Sequence, residues 1–228
     1  VTEGAEWLSV SPDGVITVSL EAKSGVTGVV TVQAGSARAT VPVTVTGFDD
    51  TAGHWGRDYI RALNALGVVK GQTETLFGPE NTIKRCDFVL MLHRAAGAPQ
   101  ANGPATFTDV PQDAYYAAAI AWAEQAGIAK GTGDGRFDPL GTLTREQAFT
   151  LVYRAFDLFG VTPPEAGPQD LAVFTDAGEI ADFAVQPAAA LVKMGVVAGS
   201  NGAIMPKSEM TRAQMAKVLF IVLYGDMA

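Results

Sequence analysis

Three arginines recur at one place in this chain. Arg85, Arg145 and Arg212 each open an apolar-periodic segment that reads as a helix. Two of them stand inside Thr144-Arg145-Glu146-Gln147 and Thr211-Arg212-Ala213-Gln214. Both segments read as capping boxes: the Thr hydroxyl accepts from the third helical amide and the Gln reaches back to the cap. The arginine then falls in the first helical turn, where the macrodipole disfavours a cation by about 0.3–1 kcal/mol. Helix stability alone would choose Asp or Glu there. Free amides, the dipole and a guanidinium together favour an anion, such as a carboxylate, at one spot. The competing assignment pairs each arginine with a nearby aspartate or a neighbouring carbonyl, and the two roles are compatible.

Other residues keep step with the arginines. Asp50, Asp109 and Asp176 end an F-x-D triplet in each copy. They fit either binding of ligand hydroxyls or capping of the following turn, and the capping role is the commoner one. Trp55, Tyr115 and Phe183 occupy equivalent positions and suit either stacking on sugar faces or the core, which their helical spacing favours. Gly71, Gly131 and Gly199 are expected at positive φ, where backbone can approach a neighbour or a ligand. The first copy departs from the pattern: Lys84 replaces the capping threonine, which adds a second positive charge, and Thr82 offers an alternative cap. In the third copy Pro187 is expected to interrupt the first helix. Phe183 cannot donate a hydrogen bond to a sugar, so the third copy's groove is the most doubtful.

These landmarks define an internal repeat. Its openings at Phe48, Phe107 and Phe174 are separated by 59 and then 67 residues. Such a repeat decides the architecture before any local pattern does. In each copy a first helix ends at Gly67, Gly127 or Gly195, glycine being preferred just past a helix end. Ile60, Leu63 and Leu66 form the apolar face of the first copy, with Ile120 and Ala123 on that of the second. A Gly/Asp/Pro-rich loop leads to the second helix, whose face is Phe88, Val89, Leu92 and Ala95 in copy one. Phe149, Val152 and Phe156 take those places in copy two. The repeats span 48–106, 107–173 and 174–228. Residues 1–47 read as all-β, with strands expected at Trp7–Val10, Val15–Leu20, Gly28–Gln33 and Ala37–Thr46. A single four-stranded sheet there would leave one face for a neighbour. The fold class is therefore mainly α, with a small N-terminal β segment.

Composition narrows the function. The 228 residues carry a net charge of −8, against the basic footprint that nucleic-acid binding requires. One cysteine, Cys86, excludes an internal disulfide framework and a cysteine-rich zinc site. It reads as a half-buried structural thiol. His54 reads as a cap or rim residue and His93 as exposed. Asp134-Gly-Arg-Phe-Asp138 lacks the ligands of a calcium loop and reads as a turn. No metal and no cofactor is expected. No apolar run reaches the roughly 18–20 residues of a membrane span. The chain starts without an initiator Met and is read as part of something longer.

The F-x-D opening, the aromatic before the first helix, the G-x-x-x-G step and the T-R-x-E/Q helix start resemble the S-layer homology module. Copy two carries the fullest match: Phe107-Thr-Asp109, Gly127-Ile-Ala-Lys-Gly131, Phe137-Asp-Pro139 and Leu143-Thr-Arg-Glu146. Residues 1–47 resemble the C-terminal part of a bacterial Ig-like domain. The module resemblance implies a pseudo-threefold assembly of three helix-loop-helix repeats with grooves between adjacent repeats. It also implies non-covalent anchoring of an exported protein to an anionic, pyruvylated secondary cell-wall polysaccharide at the surface of a Gram-positive cell. The arginines, Lys84, the aspartates, Trp55, Tyr115 and the three glycines are the candidate contacts. The fragment is expected to be a monomer without enzymatic activity. The alternative is the assembly region of a lattice-forming S-layer protein. An enzyme finds no support, because no nucleophile set, metal spacing or phosphate loop occurs.

Overall fold

A computed structural model describes residues 4–19 and 22–226. Two hairpins come first: β1 (Leu8–Val10) with β2 (Ile16–Val18), and β3 (Thr27–Ala34) with β4 (Ala37–Thr44). Both are antiparallel, with Leu8 opposite Val18 and Thr27 opposite Thr44. The expected single sheet is thus two separate two-stranded ones. The first is short because Trp7 lies before β1 and Val15 before β2; Leu20 falls outside the described residues. Most hairpin side chains are exposed, while Leu8 and Val30 are buried. The Ser24 amide donates to Asp49 Oδ1 at 2.7 Å, tying this segment to the first repeat.

Six α-helices follow, two per repeat: α1 (Arg57–Ala65) and α2 (Arg85–Ala95), α3 (Ala117–Gln125) and α4 (Arg145–Arg154), α5 (Asp182–Lys193) and α6 (Arg212–Tyr224). Gly67, Gly127 and Gly195 stop the first helices at φ of 72°, 72° and 73°, a conformation that glycine adopts without a Cβ penalty. Leu66 stands at the C-cap of α1 and is exposed, so the apolar face there ends at Leu63. Helix α5 runs unbroken through Pro187. It begins about one turn earlier relative to its aromatic than α1 and α3 do, and the proline ring sits buried among alanines. The missing amide costs that helix one hydrogen bond without ending it.

The helix pairs form between repeats. α2 packs on α3, α4 on α5, and α6 returns to α1. Each repeat therefore covers the next and the third covers the first, closing a ring. At its centre the Ile83 amide donates to Met210 O (2.9 Å), that of Met210 to Leu143 O (2.9 Å), and that of Leu143 to Ile83 O (3.3 Å). The three side chains are fully buried. This backbone triangle is the pseudo-threefold axis.

Candidate functional site

Each arginine is built into the next repeat around the ring. Arg85 Nε donates to Phe137 O, Arg145 Nε to Ile204 O and Arg212 Nε to Phe77 O, all at 2.9 Å. Arg212 adds a bond from Nη2 to Lys70 O at 2.8 Å. The guanidinium carbons of Arg85 and Arg212 stand 4.8 and 4.5 Å from the ring centres of Phe137 and Phe77, in cation–π range. Arg145 lies 5.2 Å from Phe149 of its own helix. The side chains are largely buried, and burial pushes each guanidinium pKa down. Asp138 and Asp109 oppose that shift at Arg85, Asp176 at Arg145, and Asp87 and Asp50 at Arg212. Arginine keeps its charge in such surroundings.

The helix starts are not open to an anion. The first two amides of α2 donate to Gly141 O and Pro139 O, at 2.9 and 3.0 Å. Those of α4 donate to Ser208 O and Pro206 O, and those of α6 to Asn81 O and Pro79 O. Thr144 and Thr211 cap the third amide in α4 and α6, and both capping boxes form as expected. Lys84 gives α2 no side-chain cap, and Thr82 pairs with Thr211 across the ring instead of capping. The orphan donors of the helix termini are thus the glue between repeats.

The aspartates clamp the loop that receives each arginine. Asp50 accepts the amides of Phe77 (2.9 Å) and Gly78 (2.7 Å). Asp109 accepts those of Phe137 and Asp138, and Asp176 those of Ile204 and Met205. Burial raises the pKa of Asp109 and Asp176, and these amide bonds outweigh it, leaving both carboxyls below the ordinary range. The glycines make room beside the F-x-D phenylalanines. A Cβ on Gly71 would stand 2.5 Å from Phe48 Cε1, one on Gly131 2.8 Å from Phe107 Cε1, and one on Gly199 2.6 Å from Phe174 Cε1. Gly131 and Gly199 have φ of 74° and 68°, whereas Gly71 is not at positive φ, so close approach alone requires it.

Two open grooves adjoin this ring of arginines, which we call the collar. Groove one, of about 410 Å³, is lined by Lys70, Gly71, Asp87, Arg94, Tyr115 and Arg212 among others. Groove two, of about 280 Å³, is lined by Lys130, Gly131, Gln147, Arg154, Phe183 and Arg85. Each draws on all three repeats: the Lys-Gly step and second helix of one, the aromatic of the next, the arginine of the one before. In the same register a third groove would hold Ala198, Gly199, Gln214, Ile221, Trp55 and Arg145. It lacks the lysine and the second arginine that the other two share. In groove one Tyr115 donates its hydroxyl to Asp87 Oδ1 at 2.7 Å. Although most of the ring is exposed, desolvation at the hydroxyl, and then that bond, raise the phenol pKa, which keeps Tyr115 a neutral donor. In groove two Arg154 Nη1 donates to Ile128 O at 3.1 Å.

The sequence-derived candidates therefore divide. Arg85, Arg212, Tyr115, Gly71 and Gly131 line the two grooves. Arg145, Trp55 and Gly199 belong to the third position, the aspartates lie in the loop clamps, and Lys84 is an exposed helix cap outside both grooves. Trp55, Tyr115 and Phe183 are 53%, 65% and 52% exposed, so the favoured core assignment does not hold. Phe183 serves groove two, not a groove of its own repeat. Lys70, Lys130, Arg94 and Arg154 were missed. Their signal was the register itself: Lys-Gly in copies one and two against Ala-Gly in copy three, and Arg94 and Arg154 against Ile221.

Three further residues differ from expectation or refine it. His93 is buried, and its Nε2 donates to Pro99 O at 2.8 Å, a carbonyl that can only accept. Cys86 is fully buried, and burial raises its thiol pKa more than the contact with the Tyr115 hydroxyl lowers it. His54 Nδ1 accepts from the Gly56 amide at the start of α1, and Nε2 stands 2.7 Å from Glu80. No group of metal-ligating side chains occurs among the described residues.

The repeats also match known proteins. The family model of the S-layer homology domain matches residues 47–89, 106–149 and 173–216, more than half of the chain. The chain belongs to that family. It is 30% identical over 177 residues to an amylopullulanase of Thermoanaerobacterium thermosulfurigenes, covering 77% of this chain and 9% of the relative. It is 30% identical over 172 residues to the S-layer protein sap of Bacillus anthracis (75% and 20%). A surface-layer 125 kDa protein of Lysinibacillus sphaericus is 31% identical over 190 residues (80% and 15%). The chain thus spans a fifth or less of these relatives' lengths.

Proposed function

We propose that this chain is a non-catalytic anchoring module that holds an exported protein to the cell wall by binding an anionic, pyruvylated secondary wall polysaccharide. The observation that carries this reading is the charge of the two grooves. A chain of net charge −8 gathers Lys70, Arg94 and Arg212 in one groove and Lys130, Arg154 and Arg85 in the other. Each set offers a carboxylate several charge-assisted donors. Tyr115 and Phe183 stand exposed on the groove walls, where an aromatic face suits a sugar ring. Relatives that pair this region with a glycosidase or with an S-layer protein are consistent with a portable anchor.

The acidic remainder limits non-specific adhesion while local charge does the binding. Weak sites on one polymer reinforce each other by effective concentration. Titration calorimetry with purified pyruvylated wall glycan, beside the same glycan after mild acid removal of the pyruvyl groups, tests the reading. Binding confined to the pyruvylated form is expected. Equal binding of both forms would overturn an anion-reading groove.

A further inference from the structure

A second cleft begins where groove one ends. It measures about 400 Å³, and Lys70 and Gly71 line both. Its walls come from different parts of the chain: Ser24, Thr44 and Thr46 from the hairpin segment, Asn64, Thr73 and Glu74 from the first repeat. The two walls are tied together, since the Ser24 amide donates to Asp49 Oδ1 at 2.7 Å and the Asp49 amide to Thr75 O at 2.8 Å. Several wall groups are held in place. Asn64 Nδ2 donates to Val69 O at 3.1 Å, and Thr73 Oγ1 accepts the Leu76 amide at 3.0 Å, which keeps its hydroxyl proton for another acceptor. Thr46 is exposed.

We infer that this cleft is an extension subsite for the uncharged sugar that follows the anionic residue in groove one, an inference resting on the groove reading above. The chemistry of the walls differs from that of the groove. Groove one sets three cations against Asp87. In the cleft Lys70 and Glu74 balance, and hydroxyl and amide groups surround an apolar floor that includes Val45 and Phe48. A neutral pyranose matches that surface, with hydroxyls for the polar rim and a C–H face for the Phe48 side. Lys70 and Gly71 line both, so the two sites are adjacent and a saccharide chain held in groove one can extend into the cleft. The hairpin wall adjoins the first repeat, so the subsite belongs to groove one, and groove one is expected to read the longer stretch of glycan.

The test uses the full chain carrying Lys130→Ala and Phe183→Ala, which weaken groove two so that groove one reports. Two probes are titrated by calorimetry: a single pyruvylated sugar, and a trisaccharide with that sugar at one end. The trisaccharide is expected to bind about tenfold tighter. Thr46→Trp, which fills the cleft from an exposed position, is expected to remove that gain and leave the single sugar unchanged. Glu74→Ala, a smaller change, checks that the effect follows the cleft. An undiminished trisaccharide gain in Thr46→Trp would overturn the subsite. So would equal losses for both probes, because the effect would then lie in groove one. No binding of the single sugar by the parent would overturn the groove reading and the cleft with it.

Discussion

Arg212 Nη2 donates to the carbonyl of Lys70 at 2.8 Å across 142 positions of sequence, joining the last repeat to the first. The same guanidinium holds Phe77 O and covers the Phe77 ring. Arg85 and Arg145 each hold a single carbonyl in the equivalent loops. Replacing Arg212 with Ala is therefore expected to cost more than replacing Arg85, because two acceptors lose their partner. Each unpaired buried group costs about 1–3 kcal/mol. Urea denaturation of the two variants orders them. Arg212→Lys is expected to recover little, since an ammonium does not reproduce the fork.

Ligand binding is expected to follow the residues that distinguish the grooves. Arg94→Ala and Arg154→Ala should each weaken glycan binding about tenfold at one groove, the scale of one charge-assisted bond. The reverse experiment is stricter. Ala198→Lys with Ile221→Arg places the missing cations at the third position, and the calorimetric stoichiometry for a single pyruvylated sugar should rise by one site.

Ring closure and capping were legible in part. The capping boxes of α4 and α6 and the glycine stops are local, so a few neighbouring residue types specify them. What faces what was not local. Phe137 O lies 52 residues from Arg85 and Ile204 O lies 59 from Arg145, so which carbonyls receive the guanidinium groups is not legible in the local sequence. Nothing in the local sequence shows that an aromatic such as Phe183 serves the groove of the preceding repeat. Arg94 and Arg154 carry no local signal, because a lone arginine on a helix looks like a solvated face. The hairpins were read as one sheet because alternation gives strands but not their partners.

Acid should loosen the clamps. The Asp109 and Asp176 carboxyls sit below their ordinary range in the folded chain. A carboxyl depressed in the fold contributes stability that is complete above its unfolded pKa and is lost as pH falls through the folded one. Stability is thus expected to decline from about pH 4 downward. Thermal melting across that range should show a shallower decline for Asp109→Asn, which starts less stable because it loses the acceptor for one of the two amides.

The three close-approach glycines allow a graded test. Gly71→Ala meets only the clash with Phe48 and the adjoining loop, whereas Gly131→Ala and Gly199→Ala add a positive φ. Overpacking alone costs about 1–3 kcal/mol, and each Cβ also meets a backbone carbonyl that a shift of the phenylalanine ring does not clear, Thr73 O, Arg136 O or Ala203 O, so all three should lower the melting temperature, with positive φ adding to the loss in the last two. Far-ultraviolet circular dichroism melts rank them.

Cys86 supplies a probe of the whole assembly. Its thiol is buried and its pKa raised. An aromatic disulfide reagent at pH 8 should leave the folded chain untouched and react once denaturant opens it. The concentration at which labelling begins is expected to coincide with loss of helix.

The arginine collar also sets a count. In a stacked solenoid each added unit leaves a fresh face, and growth stops only where a capping unit ends it. Here the donor of the third repeat already occupies the acceptor of the first, and the backbone triangle at Ile83, Leu143 and Met210 admits no fourth vertex. A further copy in tandem would find every docking position filled and would have to start a separate ring. On the anchoring reading proposed above, avidity would therefore grow in whole rings, each a unit of fixed size, rather than repeat by repeat.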